Sequence, residues 1–347
     1  MSVKPIKIVV IGGGAAGFFG AITCAQTHPD SEITILEAGY EPLTKVRISG
    51  GGRCNVTHAC FEAAELVQHY PRGGKALRGA FNQFGPKDMV AWLAAQGVQL
   101  KTESDGRMFP ITDDSATIAN CLLRRAKTLG VELRTGVKVS SVQQIPAASS
   151  VGKTEELGEF EIELKNGEVI ICDRLLLASG SNPTGYQIAK ALGHQIAPPV
   201  PSLFTFNIPD LQLRELAGVS VEKVRLRLQI AGKTQFEQTG AILITHWGLS
   251  GPAILKLSAW GARILHENRY QATLLINWVP DSNPEFLRKQ LFAVRSQLPQ
   301  RQISTTCPLL LPRRLWEYLI ARVDIAHEDR WAGLSNKTIN QLIQEIT

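Results

Sequence analysis

The sequence holds no C-x-x-C pair and no H-x-x-H or H-x-x-x-H pair. Its six cysteines (Cys24, Cys54, Cys60, Cys121, Cys172 and Cys307) are scattered over 347 residues. A dithiol redox motif and a zinc-ligand spacing are therefore both missing, and no metal is expected. A chain of this length needs no disulfide scaffold, so reduced thiols and a cytoplasmic location are the expectation. Dense basic runs are also missing. Lys plus Arg number 37 against 31 Asp plus Glu, and the net +6 is spread thinly. Without a basic stripe interleaved with aromatics, a nucleic-acid partner is not expected. One apolar stretch, Ile6 to Ala25, sits near Lys4 and Lys7 and imitates a signal peptide, but it carries five glycines at spaced positions. No other stretch reaches the roughly 18 apolar residues of a spanning helix, so no membrane partner is expected. Hydrophobic residues at 44% and charged residues at 20% describe a globular chain, and the length points to two or three domains.

What is present begins at Ile6–Ile11, an apolar, β-branched run with the character of a buried parallel strand. Gly12, Gly14 and Gly17 follow as G-x-G-x-x-G, and Ala15 to about Gln26 reads as a helix. A second strand, Glu32–Leu36, ends at Glu37, 20 residues beyond Gly17. Gly12 permits the tight turn, Gly14 lets a pyrophosphate approach the backbone, and Gly17 allows close helix–strand packing. The first helical turn, with Ala15 and Ala16, offers unpaired N–H groups to phosphate. Glu37 can accept both ribose hydroxyls and disfavours a 2′-phosphate. Strand, glycines, helix, strand and acid in this order predict a dinucleotide site for FAD or NAD.

A second glycine cluster lies in Ser49-Gly50-Gly51-Gly52-Arg53-Cys54-Asn55. Consecutive N–H groups of such a run can form an anion-binding concavity. Lys45 and Arg53 are expected to add positive charge there, which favours a cofactor-facing loop over a plain surface loop. Cys54 has no partner at redox spacing and is not expected to act as a redox thiol.

VVIGGGAAG, the run KVRISGGGRCNVT, GRMFPITD (Gly106–Asp113) and THWGLSGPAILKLS (Thr245–Ser258) together resemble the BaiN/RdsA-type NAD(P)/FAD-dependent oxidoreductases. The resemblance extends almost to residue 347. It implies FAD, held by the first glycine motif, by Glu37 and by the ISGGGRCN loop. It also implies a backbone contact to the adenine at Val139, and an FAD-closing turn at Ala178-Ser179-Gly180. It places the Thr245–Pro252 loop on the flavin side of an inserted domain. His246 carries an imidazole, the side chain best suited to moving protons, and is the candidate catalytic residue for proton transfer.

The expected fold is α/β, a Rossmann-type FAD-binding domain with an inserted antiparallel β-barrel-like domain and a helical cap. Residues 1–197 form the FAD domain, and the prolines of APPVPS mark its end. Within it, Phe61 to Gly97 reads as helical and Val131–Val142 as one strand. Pro146 to Gly158 reads as a polar loop. Residues 198–333 form the β-rich domain, with a cap at about 282–325, and 334–347 begin a helix returning to the FAD domain. Trp278, Trp316 and Trp331 are expected to pack rather than stack on ligand. In Thr245–Pro252, Ser250 is expected to cap a helix that Pro252 starts.

The expected function is flavin hydride transfer to or from a small organic substrate. The resemblance implies reduction of a polarised C=C bond, or oxidation of a small amine or ketone, with NAD(P)H as electron donor. There is no second complete G-x-G-x-x-G, so a nicotinamide would bind transiently. Two alternatives remain open. One is an RNA-modifying flavoprotein. The other is a shortened or split flavoprotein that binds nucleotide without turnover, because the resembling family closes its first domain with a glycine-rich, acidic C-terminal stretch not found before Thr347. Oligomeric state is left open.

Overall fold

A computed structural model describes residues 5–145 and 159–347. The chain divides into two compact units, residues 1–197 and 198–347, each described by itself. The polar stretch at 146–158 lies outside the described residues.

The first unit opens with β1 (Lys7–Ile11), α1 (Ala15–Thr27) and β2 (Glu32–Glu37). Next come α2 (Thr44–Ile48), β3 (Thr57–His58), α3 (Ala63–Leu66), α4 (Gly74–Gln83) and α5 (Pro86–Ala95). After β4 (Leu100–Thr102) and β5 (Arg107–Pro110), α6 (Ser115–Thr128) begins at Asp114, whose side chain accepts the Ala116 N–H. The unit finishes with β6 (Glu132–Thr135), β7 (Val139–Ile145), β8 (Glu159–Leu164), β9 (Val169–Cys172), β10 (Arg174–Leu177) and α7 (Pro183–Ala191).

Its central sheet is parallel, in the order β10-β1-β2-β6. β1 is buried on both faces, as a continuous apolar run requires. Ile8 and Val10 pack with Phe18 and Ile22 of α1 and Leu122 of α6, whereas Val9 and Ile11 face Val142, Ile162 and Leu164 of the β7-β8-β9 meander. The sheet is thus a layer between helices and a second sheet.

Two differences from the sequence expectation have clear causes. The stretch 61–97 is broken into three helices, because Gly73 takes φ 76° and Gly85 with Pro86 starts α5 afresh. The stretch 131–142 is two strands in two sheets. Gly136, at φ 70°, turns the chain between β6, which pairs with β2, and β7, which pairs with β8.

The second unit contains β11 (Phe206–Asn207), α8 (Leu211–Glu215), β12 (Ser220–Ile230), β13 (Lys233–Thr245), β14 (Gly248–Ser250) and α9 (Pro252–Glu267). It continues with β15 (Thr273–Asn277), α10 (Pro284–Gln297), α11 (Arg313–Ala321) and α12 (Asn336–Ile346). Its sheet is antiparallel throughout, in the order β11-β14-β13-β12-β15, and curls as an open half-barrel. Leu226, Leu228, Ile242 and Ile244 of the sheet pack on Ile254 and Leu257 of α9. Trp278, Trp316 and Trp331 are buried, and the Trp316 indole N–H donates to the Ile303 carbonyl at 2.7 Å.

The sequence expectation sends 334–347 back to the first unit. Instead, Ile339, Leu342, Ile343 and Ile346 of α12 bury their side chains in the second unit's core, because all four fall on one helical face. The cap of α9 also differs: Ser250 ends β14, and Gly251, at φ 98°, precedes Pro252.

Candidate cofactor site

The site is assembled where β1, β2 and β10 end. β1 connects to β2 on one side and pairs with β10 on the other, which makes this a topological switch point. Ligands of open α/β sheets bind in the crevice that such a reversal leaves at the carboxyl ends of the strands.

Contacts set the role of each glycine in the first turn. Gly12 has φ 115°, and a Cβ there would lie 2.4 Å from the Ala178 carbonyl oxygen. A Cβ on Gly17 would lie 1.9 Å from the Gly12 carbonyl oxygen, so α1 can approach β1 only with glycine at 17. Around Gly14 the space is open, with nothing within 4 Å of a built Cβ. Gly14 caps α1 without a side-chain acceptor, and no acidic residue occupies the first turn. Ala15 and Ala16 are exposed. The helix terminus therefore keeps its N–H donors and its positive dipole end available to an anion.

Glu37 is tied into the turn. Its Oε2 accepts the Gly13 N–H at 2.7 Å and its Oε1 accepts the Gly39 N–H at 2.7 Å. Its backbone carbonyl accepts the Val137 N–H at 2.9 Å, which leads the chain from the Gly136 turn into β7. Val139, the first residue of β7, is buried by this route. From the far side Ser179 arrives after β10, and its Oγ would lie 1.8 Å from a Cβ on Gly185. Gly12, Glu37, Val139 and Ser179 line one cleft of about 220 Å³. Four residues singled out in four separate stretches of sequence thus share a cavity.

Lys138 and Lys165 also line this cleft, and sequence reading missed both. The Asn166-Gly167 turn that returns β8 toward β9 was legible, but the Lys165 N–H donating to the Lys138 carbonyl at 2.8 Å, which brings the two together, was not.

The second glycine cluster follows α2, whose start is tied to the first glycine turn by the Leu43 N–H donating to the Gly13 carbonyl at 2.8 Å, and it is not among the residues lining that cleft. Gly50, Gly51 and Gly52 all have positive φ, at 57°, 70° and 87°. Gly50 is held against the Phe109 ring and the Asn55 backbone, while Gly51 and Gly52 face open space. Ser49 is half-buried with its hydroxyl on the Val46 carbonyl, and Asn55 is exposed. Lys45 reaches Ser181 Oγ at 3.0 Å and lies 3.6 Å from a Cβ built on Gly180, which has φ 61°. It joins α2 to the loop after β10.

Arg53 differs from the expectation of a free positive charge. Its guanidinium pairs with Glu103 at 2.5 Å, reaches Asp113 at 3.4 Å and stacks 4.0 Å over the Phe109 ring. The hydrogen bond to Glu103 holds its pKa above the ordinary value. Cys54 is buried, and burial raises its thiol pKa, against the partial offset of a hydrogen bond with Ser49. A thiol shielded in this way is a poor nucleophile.

His246 belongs to the second unit. It and Trp247 form the two-residue tip of the β13–β14 hairpin, not a loop leading into a helix, and both are exposed. The tip is fixed by Thr245 Oγ1 donating to the Gly248 carbonyl at 3.2 Å and by the Ile208 N–H donating to the Trp247 carbonyl at 3.1 Å. Among the described residues no helix is long and apolar enough to cross a membrane.

A family model described as HI0933-like protein Rossmann domain matches residues 6–297. The ribosomal RNA dihydrouridine synthase of Escherichia coli (strain K12) is 30% identical over 324 residues, covering 90% of this chain and 72% of that protein. The 3-dehydro-bile acid delta(4,6)-reductase of Clostridium scindens is 25% identical over 317 residues, covering 89% of this chain and 73% of that protein. Among solved structures, THI4 of Thermovibrio ammonificans aligns at 12% identity with a TM-score of 0.37, covering 55% of this chain and less than two thirds (64%) of that one. Through the match over residues 6–297, the chain belongs to the HI0933-like Rossmann family.

Proposed function

We propose that this protein is an FAD-dependent reductase that adds hydrogen across a carbon–carbon double bond conjugated to a carbonyl group, with NAD(P)H as the electron donor. The observation that carries the reading is the cleft shared by Gly12, Glu37, Val139 and Ser179. In this reading Glu37 accepts from the ribose of the adenosine, Val139 meets the adenine with its backbone, and the open N-terminus of α1 holds the pyrophosphate through Ala15, Ala16 and Gly17. Gly51 and Gly52 leave backbone free for a ligand, and Ser49, Asn55 and Lys45 supply polar groups beside it. Ser179 and Gly180 close the site from the β10 side. The cradle fits the cofactor on steric grounds, since side chains are excluded at Gly12 and Gly17 and nothing occupies the space at Gly14. FAD, when bound, supplies the hydride chemistry.

The protein's own contribution is placement and a proton. We assign proton delivery to a ring nitrogen of His246, which sits on a tip fixed by backbone hydrogen bonds and open to solvent. The proton goes to the carbon next to the substrate carbonyl. A nicotinamide has no second glycine motif to hold it and binds transiently.

The relatives' names describe two reductions of one chemical type, one in a bile acid and one in a ribosomal RNA uridine. They favour a second reading of the substrate, a uridine in ribosomal RNA, over the sequence expectation of no nucleic-acid partner. A single-turnover experiment tests the reaction class. Flavin-loaded protein is reduced with NADPH without oxygen and mixed with cyclohex-2-enone or with unmodified ribosomal RNA. Flavin reoxidation with a saturated ketone or with dihydrouridine as product supports the reading and names the substrate. His246→Ala slows reoxidation about 100-fold without changing flavin affinity. Reoxidation by neither substrate contradicts the proposal.

A further inference from the structure

The half-barrel of the second unit has a seam. β11 pairs only with β14 and β15 only with β12, so each offers an unpaired edge among the described strands. The two edges line one cavity of about 810 Å³. Its apolar lining comes from Phe204 and Phe206 along one edge, Leu274 on the other, and buried Leu228 and Leu265 at the floor, with polar Thr205, Asn207, Gln271 and Thr273 along the two edges. Tyr270 stands edge-on to Phe204, with ring centroids 5.9 Å apart. The size and lining suit a drug-sized apolar body of fused or linked rings.

One charged side chain lines this cavity, Arg214, and no Asp or Glu lines it. Arg214 is half-buried on α8, and its Nε donates to the Ile208 carbonyl at 2.5 Å. That bond fixes the guanidinium plane while leaving its terminal N–H groups outside any ion pair among the described residues. The carboxylate that caps α8 is already engaged, since Asp210 accepts from Leu213, Tyr318 and Arg322, and the exposed Glu215 next to Arg214 on α8 forms no ion pair with it among the described residues. A tethered arginine with no carboxylate partner, at the rim of an aromatic and aliphatic cavity, matches a bidentate carboxylate geometrically and electrostatically.

We propose that the seam cavity is a binding site for an amphipathic carboxylate, a molecule with an apolar ring body and one acidic group. The rings lie against Phe204, Phe206, Leu228 and Tyr270, and the carboxylate pairs with Arg214. The unpaired backbone groups of β11 and β15 are available to hydroxyl or amide groups on the ring body. This site lies wholly within the second unit and does not depend on the reaction proposed above.

The test uses the full chain and two fluorescent probes of equal shape, pyrenebutyrate and its uncharged analogue pyrenebutanol. Pyrenebutyrate is expected to bind one to one, at least tenfold tighter than the alcohol, with the preference shrinking as salt rises. Arg214→Met is expected to abolish the preference and leave the alcohol's affinity unchanged, while Arg214→Lys retains part of it. Ala272→Trp, which fills the cavity from the β15 side, is expected to weaken both probes. Thermal melts of the three variants identify any that fail to fold, and the wild-type comparison of acid with alcohol needs no variant. Equal affinity for the two probes overturns the proposal. So does an unchanged preference in Arg214→Met, or unchanged binding in a folded Ala272→Trp.

Discussion

Glu37 and Gly13 are joined by a 2.7 Å hydrogen bond from the glycine N–H to carboxylate Oε2, and Gly39 donates to the other oxygen at the same distance. The acid at the end of β2 therefore holds the glycine turn at the end of β1 in shape before any ligand arrives. A carboxylate oxygen accepts more than one hydrogen bond, so the arrangement leaves room for a ribose hydroxyl.

Glu37→Ala removes the acceptor from two half-buried N–H groups. Hydrogen bonds to a charged group contribute roughly 1.5–3 kcal/mol each, with water replacing part of the loss here. Denaturant unfolding in the absence of flavin should show about 2 kcal/mol less stability, and FAD titration should show affinity at least tenfold weaker. Weaker FAD with unchanged flavin-free stability would mean that Glu37 does not shape the turn.

The two flanking glycines should separate folding from binding. Gly17→Ala drives a methyl into the Gly12 carbonyl, 1.9 Å from the built Cβ. Overpacking against backbone should lower stability by about 3 kcal/mol. Gly14→Ala meets nothing within 4 Å and should stay within about 1 kcal/mol of wild type. It should nevertheless weaken FAD, because the methyl stands where a phosphate would approach. Thermal melts and FAD titration of both variants check this.

Lys45 and Arg53 should behave oppositely. The Arg53 guanidinium is spent on Glu103, Asp113 and the Phe109 face. Arg53→Met should lower stability only slightly, through loss of a partly exposed pair and a cation–π contact, and leave FAD affinity within about threefold. Lys45 has no carboxylate partner among the described residues and bridges to Ser181. Lys45→Met should weaken FAD more than Arg53→Met does, with little change in stability. Titrating both variants ranks them.

At alkaline pH the second unit should loosen through Tyr318. Burial and its hydrogen bond to Asp210 push the phenol from 10.0 up to about 12. Because the folded pKa is the higher one, the stability Tyr318 adds is complete below its unfolded value near 10 and disappears as pH rises through about 12. Tyr318→Phe should be less stable than wild type at neutral pH and should lose less over this window. Denaturant midpoints taken from neutral pH up to about 12 check both statements.

The order from β1 through the glycine turn and α1 to β2 and Glu37 was legible because one short stretch carries strand, turn, helix and acid, each with its own periodicity. Ser179 was legible through the motif it closes. What sequence reading missed depends on long-range contacts. Gly136 ends β6 by a turn whose N–H donates to Gly39, and nothing local marks the switch of sheet. Arg53 reads as a free cation until Glu103 and Phe109, about 50 residues away, are brought beside it. That α12 is a helix was legible, but its packing partners in the second unit were not. Cys54, which sequence reading did not expect to act as a redox thiol, is buried with its thiol pKa raised, a feature no local pattern marks.

The central claim is that the cleft at the ends of β1, β2 and β10 belongs to FAD. The most direct measurement is titration of the purified full chain with FAD, followed by the flavin absorption band and by protein fluorescence, with Glu37→Ala alongside. The account predicts one FAD per chain, a protein-bound flavin spectrum, and at least tenfold weaker binding in the variant. A chain that stays colourless after incubation with FAD, or a variant that binds as tightly as wild type, would contradict it.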